Sequence, residues 1–365
     1  MKKPRKYAEP MNNPFFTIAL LGYQSEPYLP RALASISSQT FHDFDVMCLV
    51  EESADASLDV CNAWAKKNPK VQVVSLPKSG SGACPRNHAI EHAKGEYLVF
   101  VDGDDWITDT MLERLHSKIC ETGKIDVLAF AVTTTNEDDG DDKQKRKQSN
   151  FLPSDSCEVF TGQEAILRVG RRGGGFFGYS WLNTYRTAFV RDHNLRQKPG
   201  TLLEDSEWLT RVWYLAERFA YLDESLYTYC RRKTSVMSEA SSRIVLDVVH
   251  HVQSIMVFAE AHAVPDSITA VWSNQWLSQL YWFLFHPVSS RKITDDYRMQ
   301  ALSVLFNGNG RVLFRRFARR ASRIKRLALP LVVLAGKGWL WPAKFFFRRL
   351  YYPLVQRRRA ARLGN

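Results

Sequence analysis

The 365-residue chain is predicted to be an α/β protein: a doubly wound, mostly parallel sheet followed by a helical region and a basic, amphipathic tail. Three observations carry that prediction. Short apolar runs of strand character alternate with segments of helical spacing through the first hundred residues, the order that builds a parallel sheet. Polar or glycine-rich loops follow those runs, where open α/β sheets hold their ligands. Finally, 16 Lys or Arg and no Asp or Glu lie between Arg311 and Asn365. The first 310 residues therefore hold 34 basic against 38 acidic side chains, a net of −4 beneath an overall +12. The body is mildly acidic and the tail carries the whole positive excess.

Length and composition bound the rest. A hydrophobic content of 45% with 12% aromatics belongs to a folded chain, long enough for one large core or a domain with an appendage. Six scattered cysteines without a C-x-x-C pair suit buried thiols in a reducing compartment better than a disulfide frame or a zinc site. Met1 to Pro14 lacks the apolar centre of a signal peptide, and no uninterrupted apolar run reaches 18 residues. Neither a leader nor a membrane span is expected.

Phe15 to Leu21 is the first strand, closed by the turn Gly22-Tyr23-Gln24-Ser25. Pro30 sits near the start of a helix carrying Leu33 and Ile36, and Asp45 to Val50 is the second strand, ending at Glu51-Glu52. A helix over Leu58 to Lys67 precedes a third strand, Val71 to Leu76, and the loop Lys78 to Ala83. The next helix runs through Arg86, Asn87, Ile90 and Ala93 and stops at Gly95. Tyr97 to Val101 is a fourth strand that ends in Asp102-Gly103-Asp104-Asp105, three carboxylates within four residues. Such crowding is ordinarily relieved by a divalent cation on hard oxygen ligands shared with a substrate phosphate. The competing explanation for the motif alone is a surface turn with helix-capping aspartates.

Further on, a helix is expected over Met111 to Ile119 and a strand over Ile125 to Val132, then a solvated acid-and-base block from Asn136 to Lys147. Thr161-Gly162-Gln163-Glu164 opens a helix as a capping box would, and Arg171 to Gly175 forms a basic hinge. Glu204-Asp205 enters another helix, Tyr221 to Arg232 is a last strand, and Ile244 to Ala261 and Ile268 to Phe285 are long apolar helices. In the tail, Leu313, Phe317, Ala321, Ile324 and Ala328 recur at helical spacing among Arg and Lys. Leu331 to Phe347 is aromatic and interrupted by Gly336, Gly338 and Pro342.

Several of these segments together resemble the inverting family 2 glycosyltransferases of the GT-A (Rossmann-like) fold. The helix Leu29 to Thr40 matches that family's "Leu-x-x-Ala-Leu-x-Ser-Ile-x-x-Gln-Thr", and Gly80 to Ile90 with Arg86-Asn87 matches its "Gly-x-x-x-Ala-Arg-Asn" element. Gly95 to Asp105 matches its "Gly-Glu-Tyr-x-x-Phe-x-Asp-x-Asp-Asp". Glu204-Asp205 and the stretch Tyr229 to Ser235 stand where the family has a Glu-Asp pair and a Tyr-Arg-x-Ser element. One departure stands out: Val50-Glu51-Glu52-Ser53-Ala54 replaces "Val-Asp-Asp-Gly-Ser" in the loop that contacts base and ribose. The match spans residues 14–235, giving a nucleotide-binding half at 14–125 and an acceptor half at 126–235. An N-terminal extension (1–13), a helical region (240–310) and the tail (311–365) flank it.

The resemblance implies a metal-dependent enzyme that moves a sugar from a nucleotide-diphosphate sugar to a hydroxyl acceptor, a surface polysaccharide, wall polymer or lipid-linked glycan. Asp205 would be the base, and a single base opposite the leaving group implies inversion. Asp102 would meet the ribose, and Asp104 with Asp105 would hold Mg²⁺ or Mn²⁺. Tyr23, Glu51, Glu52, Lys78 and Arg86 would contact the nucleotide; Glu204, Trp181, Tyr185 and Trp208 would face the acceptor. The basic, aromatic tail fits an anionic membrane at the cytoplasmic face of the cell, and no nucleic-acid recognition motif accompanies it. A helical appendage packed on the protein is the structural alternative for the tail. A degenerate GT-A scaffold bound to a membrane is the alternative for the whole.

Overall fold

The structure is a computed structural model that describes residues 13–137, 147–149, 152, 158–172, 178–232, 243–286, 293–306, 310–335 and 340–353. The first half alternates as expected: β1 (Phe16–Gly22), α1 (Leu29–Ser37), β2 (Phe44–Glu51), α2 (Ser57–Ala65), β3 (Val71–Leu76), α3 (Ala83–His92) and β4 (Tyr97–Asp102). β1 and the Tyr97–Val101 run of β4 are buried throughout because helices cover both faces of the sheet, which is why they read as unbroken apolar runs. α1 starts on Pro30 and turns Leu29, Ala32, Leu33 and Ile36 inward.

A short β5 (Trp106–Ile107), α4 (Met111–Thr122), β6 (Val127–Asn136) and β7 (Lys147–Ser149) follow. Next come α5 (Gly162–Arg171), β8 (Asn183–Arg186), α6 (Thr187–Asp192), α7 (Glu204–Leu215) and β9 (Phe219–Arg231). The strands join one sheet in the order β3-β2-β1-β4-β8-β6-β9-β5, with β7 on β6. β1 to β4 pair in parallel; β8 then runs antiparallel to both β4 and β6, so the second half is mixed. The sequence did not announce β8. Its four residues sit inside an aromatic segment and are held by neighbours at both sides instead of by a strand pattern of their own. The α5 cap is present: Thr161 Oγ1 accepts the Glu164 N–H at 3.2 Å.

Register brings the strand ends level. Gly22 pairs with Val50, Glu51 with Leu76, and Leu21 with Asp102, so the turns after β1 to β4 open along one edge.

Among the described residues six helices follow the sheet: α8 (Ile244–Ala261), α9 (Asp266–Phe285), α10 (Asp295–Phe306), α11 (Gly310–Arg319), α12 (Arg323–Ala335) and α13 (Leu340–Phe346). The last runs on as a π-helical turn, Phe347–Tyr351. α8 is long and apolar enough to cross a bilayer, but more than half of it is buried within the protein. The amphipathic face noted in the tail is also internal. Phe314, Phe317, Ala318, Ala321 and Ala328 are buried, and Ser273 Oγ on α9 donates to the Phe317 carbonyl at 2.8 Å. Arg316 and Arg320 reach Glu260 and Asp266, each at 2.6 Å. α11 is therefore a docked helix, and the periodicity seen in sequence records packing against α8 and α9.

Gly173 to Gly175 of the basic hinge, most of the block after Asn136, Lys233 to Ser235, Gly336 to Trp339 and Arg357 to Arg359 lie outside the described residues, as do the side chains of Leu313 and Ile324.

Candidate active site

Four elements converge at the level edge of the sheet: the end of β4, the loop before α3, α3 itself and the N-terminus of α7. At their centre is Arg86, almost fully buried. Its Nη2 donates to Asp102 Oδ1 at 2.7 Å, and its Nη1 lies 3.5 Å from Asp205 Oδ1 and 3.7 Å from Glu204 Oε1. Residues 86, 102 and 204–205, far apart in sequence, thus form one cluster of a single cation and three carboxylates. Burial works against the guanidinium's charge, yet Asp102, Asp205 and Glu204 together hold its pKa above the ordinary value. Gly82 is required beside it, since a Cβ there would come within 2.1 Å of Arg86 Nη1.

The carboxylates differ in environment. Burial pushes Asp102 up to about 6, with Arg86 opposing and Asp104 and Asp205 adding to the rise. Burial likewise pushes Glu204 up to about 8, reinforced by Asp205 and resisted by Arg86. Its Oε1 accepts the Gly82 N–H at 3.1 Å, so Glu204 ties the α3 loop to α7. That is a positioning contact.

Asp205 remains partly open to solvent and is held from behind. Ser180 donates to it twice, from N at 3.1 Å and from Oγ at 2.5 Å. Gln197 Nε2 donates to Ser180 Oγ at 2.6 Å, and Asn87 and Gln197 exchange two hydrogen bonds at 2.8 Å. Leu203, just before the pair, sits in the left-handed region at φ 63°, a conformation a leucine adopts only when its surroundings enforce it. The favourable end of the α7 dipole faces both acids.

The acidic turn divides by function. Gly103 lets the chain pass close to β1, where a Cβ would meet the Leu21 carbonyl at 2.7 Å. Asp105 is buried: Tyr227 Oη donates to Oδ2 at 2.7 Å and the Cys230 N–H to Oδ1 at 2.8 Å. Both oxygens are engaged, so Asp105 locks the turn to β9 and is not presented as a metal ligand, contrary to the expectation. Asp104 points the other way and pairs with Arg232 at 2.6 Å.

The nucleotide-side residues occupy the neighbouring turns. Tyr23 is half-buried after β1 with Lys78 Nζ 5.0 Å from its ring centre. Glu52 is exposed at the end of β2. Glu51, buried, accepts from both Ser79 N (3.0 Å) and Ser79 Oγ, so its extra methylene serves to grip the loop after β3.

The proposed aromatic platform is corrected. Trp181, Tyr185 and Trp208 are buried, Trp208 completely, and belong to the core. Tyr185 Oη donates to the Ser180 carbonyl at 2.7 Å and so steadies the residue that holds Asp205. The ring that does face outward is Tyr179, 40% exposed, stacked at 4.9 Å on Trp181, which stacks in turn on Tyr227 at 4.5 Å. Sequence reasoning missed Tyr179, Ser180 and Arg232. Adjacency to Trp181 and to the Tyr-Arg-x-Ser element was the only available signal.

A mostly parallel sheet with a charged cluster at its strand ends, an acidic turn after β4 and a second acidic pair entering α7 is the arrangement of the GT-A architecture. Residues 17–184 match the sequence profile described as Glycosyl transferase family 2, so this stretch is similar to the glycosyltransferases of that family. Among its relatives, the uncharacterized glycosyltransferase EpsJ of Bacillus subtilis is 26% identical over 238 residues, 64% of this chain and 66% of EpsJ. The poly(ribitol-phosphate) beta-glucosyltransferase of Bacillus spizizenii is 38% identical over 104 residues, 28% of this chain and 16% of that protein. The chain thus spans about two thirds of the length of relatives such as EpsJ. The crystal structure of S. aureus TarS residues 1–349 with UDP-GlcNAc superposes with a TM-score of 0.70 at 22% identity, covering 91% of each chain, which establishes the shared fold.

Proposed function

We propose that the protein transfers a sugar, with inversion, from a nucleotide-diphosphate sugar to a hydroxyl of a cell-surface polysaccharide, wall polymer or lipid-linked glycan. One observation carries this reading: Asp205 is the partly open carboxylate of the Arg86 cluster, and Ser180 and Arg86 fix both its oxygens. A base must be aimed before it can take a proton from an incoming hydroxyl. The donor's nucleotide would lie along the turns after β1 to β3, against Tyr23 and Lys78, with Asp102 toward the ribose. Arg232, next to Asp104, is a further cation for the diphosphate.

The residues present fit Mg²⁺ or Mn²⁺. Such ions take one or two carboxylates and complete their shell with substrate phosphate oxygens. Asp104 supplies such a carboxylate, and no group of three His, Cys, Asp or Glu gathers among the described residues to hold an ion alone. When bound, the ion would neutralise charge on the leaving diphosphate. Asp205 meanwhile accepts the acceptor proton, and Tyr179 offers the acceptor a ring face. The TarS complex with UDP-GlcNAc and the wall-polymer name of the B. spizizenii relative support donor and acceptor of these classes. Work at the cytoplasmic face of a membrane completes the proposal.

Asp205→Ala should lower transfer by about 10²–10⁴-fold, the usual worth of a positioned base, with the circular dichroism spectrum unchanged. Asp104→Ala should abolish metal-stimulated transfer. Full activity in either variant, or a purified protein that neither hydrolyses nor transfers from any nucleotide sugar, refutes the assignment.

A further inference from the structure

α13 and its π-helical extension have two unlike faces. Ala343, Phe347 and Tyr351 point inward, where Phe347 stacks on Phe285 at 4.3 Å and meets Tyr281 at 5.0 Å. The outward face carries Trp341, Phe345 and Leu350, which are 73%, 52% and 53% exposed. Trp341 and Phe345 stack on each other at 5.7 Å, one helical turn apart. These two rings alone leave on the order of 250–300 Å² of apolar surface in water, given the area aromatic side chains carry. A patch of that size approaches the largest on a typical monomer, and such patches are often functional.

The charge around this face identifies the partner. Arg348 and Arg349 are exposed on the same segment, and the chain continues to Arg357, Arg358, Arg359 and Arg362. No acidic residue occurs after Arg311. Three carboxylates of the helical region are already engaged elsewhere: Asp295 with Lys344, and Glu260 and Asp266 with the arginines of α11. α11 is the more obvious amphipathic helix in the sequence, but its apolar face is buried in the protein and is not available to lipid.

We propose that the Trp341/Phe345/Leu350 face with Arg348 and Arg349 is an interfacial surface that lies flat on an anionic bilayer. The rings enter the headgroup boundary and the guanidinium groups take lipid phosphates. The inference rests on the reading of this enzyme as one that works at a membrane, and it assigns the contact to α13, not to the tail as a whole.

The test is flotation of the full chain with vesicles of phosphatidylglycerol and phosphatidylcholine, and with phosphatidylcholine alone. Wild type should float with the anionic vesicles and much less with the neutral ones. W341A/F345A should lower partitioning by about tenfold or more, and R348Q/R349Q by a comparable factor that high salt also imposes on wild type. Unchanged circular dichroism and unchanged hydrolysis of a soluble nucleotide sugar show that the variants fold and that the transferase reading stands independently. Flotation of W341A/F345A equal to wild type overturns the proposal. So does a wild-type dimer that becomes a monomer in W341A/F345A without any flotation, which would assign the face to a second copy of the chain.

Discussion

Replacing Glu204 by Gln tests the electrostatics of the cluster directly. In the folded protein burial raises the Glu204 pKa to about 8, against 4.5 for an ordinary glutamate. Between those values the native state binds a proton that the unfolded chain does not. The folded pKa being the higher one, the contribution is fully present at low pH and is lost as pH climbs through 8. Linkage at about 1.4 kcal/mol per pH unit gives a loss of about 3 kcal/mol between pH 5 and pH 8. Gln cannot titrate, and its Oε1 can still accept the Gly82 N–H. Urea denaturation at pH 5, 6, 7 and 8 should therefore show E204Q gaining on wild type by about 3 kcal/mol across the series. Titrating groups away from the cluster cancel in the difference. Two stability curves that run parallel within about 0.5 kcal/mol would refute the claim that Glu204 is protonated at neutral pH.

Three further outcomes follow from the same geometry. Arg86→Met strips from Asp102, Glu204 and Asp205 the one cation that pairs with them among the described residues and should cost about 3–5 kcal/mol in urea denaturation, the usual consequence of orphaning buried charge. Tyr179→Ala should raise the acceptor KM by about tenfold while leaving hydrolysis of the donor alone, and Tyr179→Phe should restore it, because the ring face is what is offered. Trp208→Phe should lower stability by about 1–3 kcal/mol with the acceptor KM unchanged, since this ring is core and touches no ligand.

How much of this was legible in the sequence depends on the range of the interaction. The first four strands and three helices were readable because each carries a local period or a local stop, and their order alone implied a parallel sheet with ligand loops on one edge. β8 was not, because a four-residue strand takes its conformation from β4 and β6 on either side. The same contrast divides the site. Asp102 to Asp105 announces itself as a run of charge, but which carboxylate faces out depends on Tyr227 and Cys230, over 120 residues away. Aromatic residue type was no guide either: Trp181 and Trp208 went to the core, and the exposed ring is the less conspicuous Tyr179.

The tail shows the same limit. Periodicity marked helical spacing across residues 311–329, which the structure divides between α11 and α12, but periodicity cannot say whether an apolar face meets lipid or protein. Only the pairing of Arg316 with Glu260 and Arg320 with Asp266, and the burial of Phe314 and Phe317, settles that α11 is docked. Leu331 to Phe347 looked less promising because glycines and Pro342 interrupt it. In the structure α13 and its extension bury Phe347 and leave Trp341 and Phe345 outside. The positive charge and the exposed aromatic face then coincide only at the end of the chain, and there the membrane question becomes a question about two rings and two arginines.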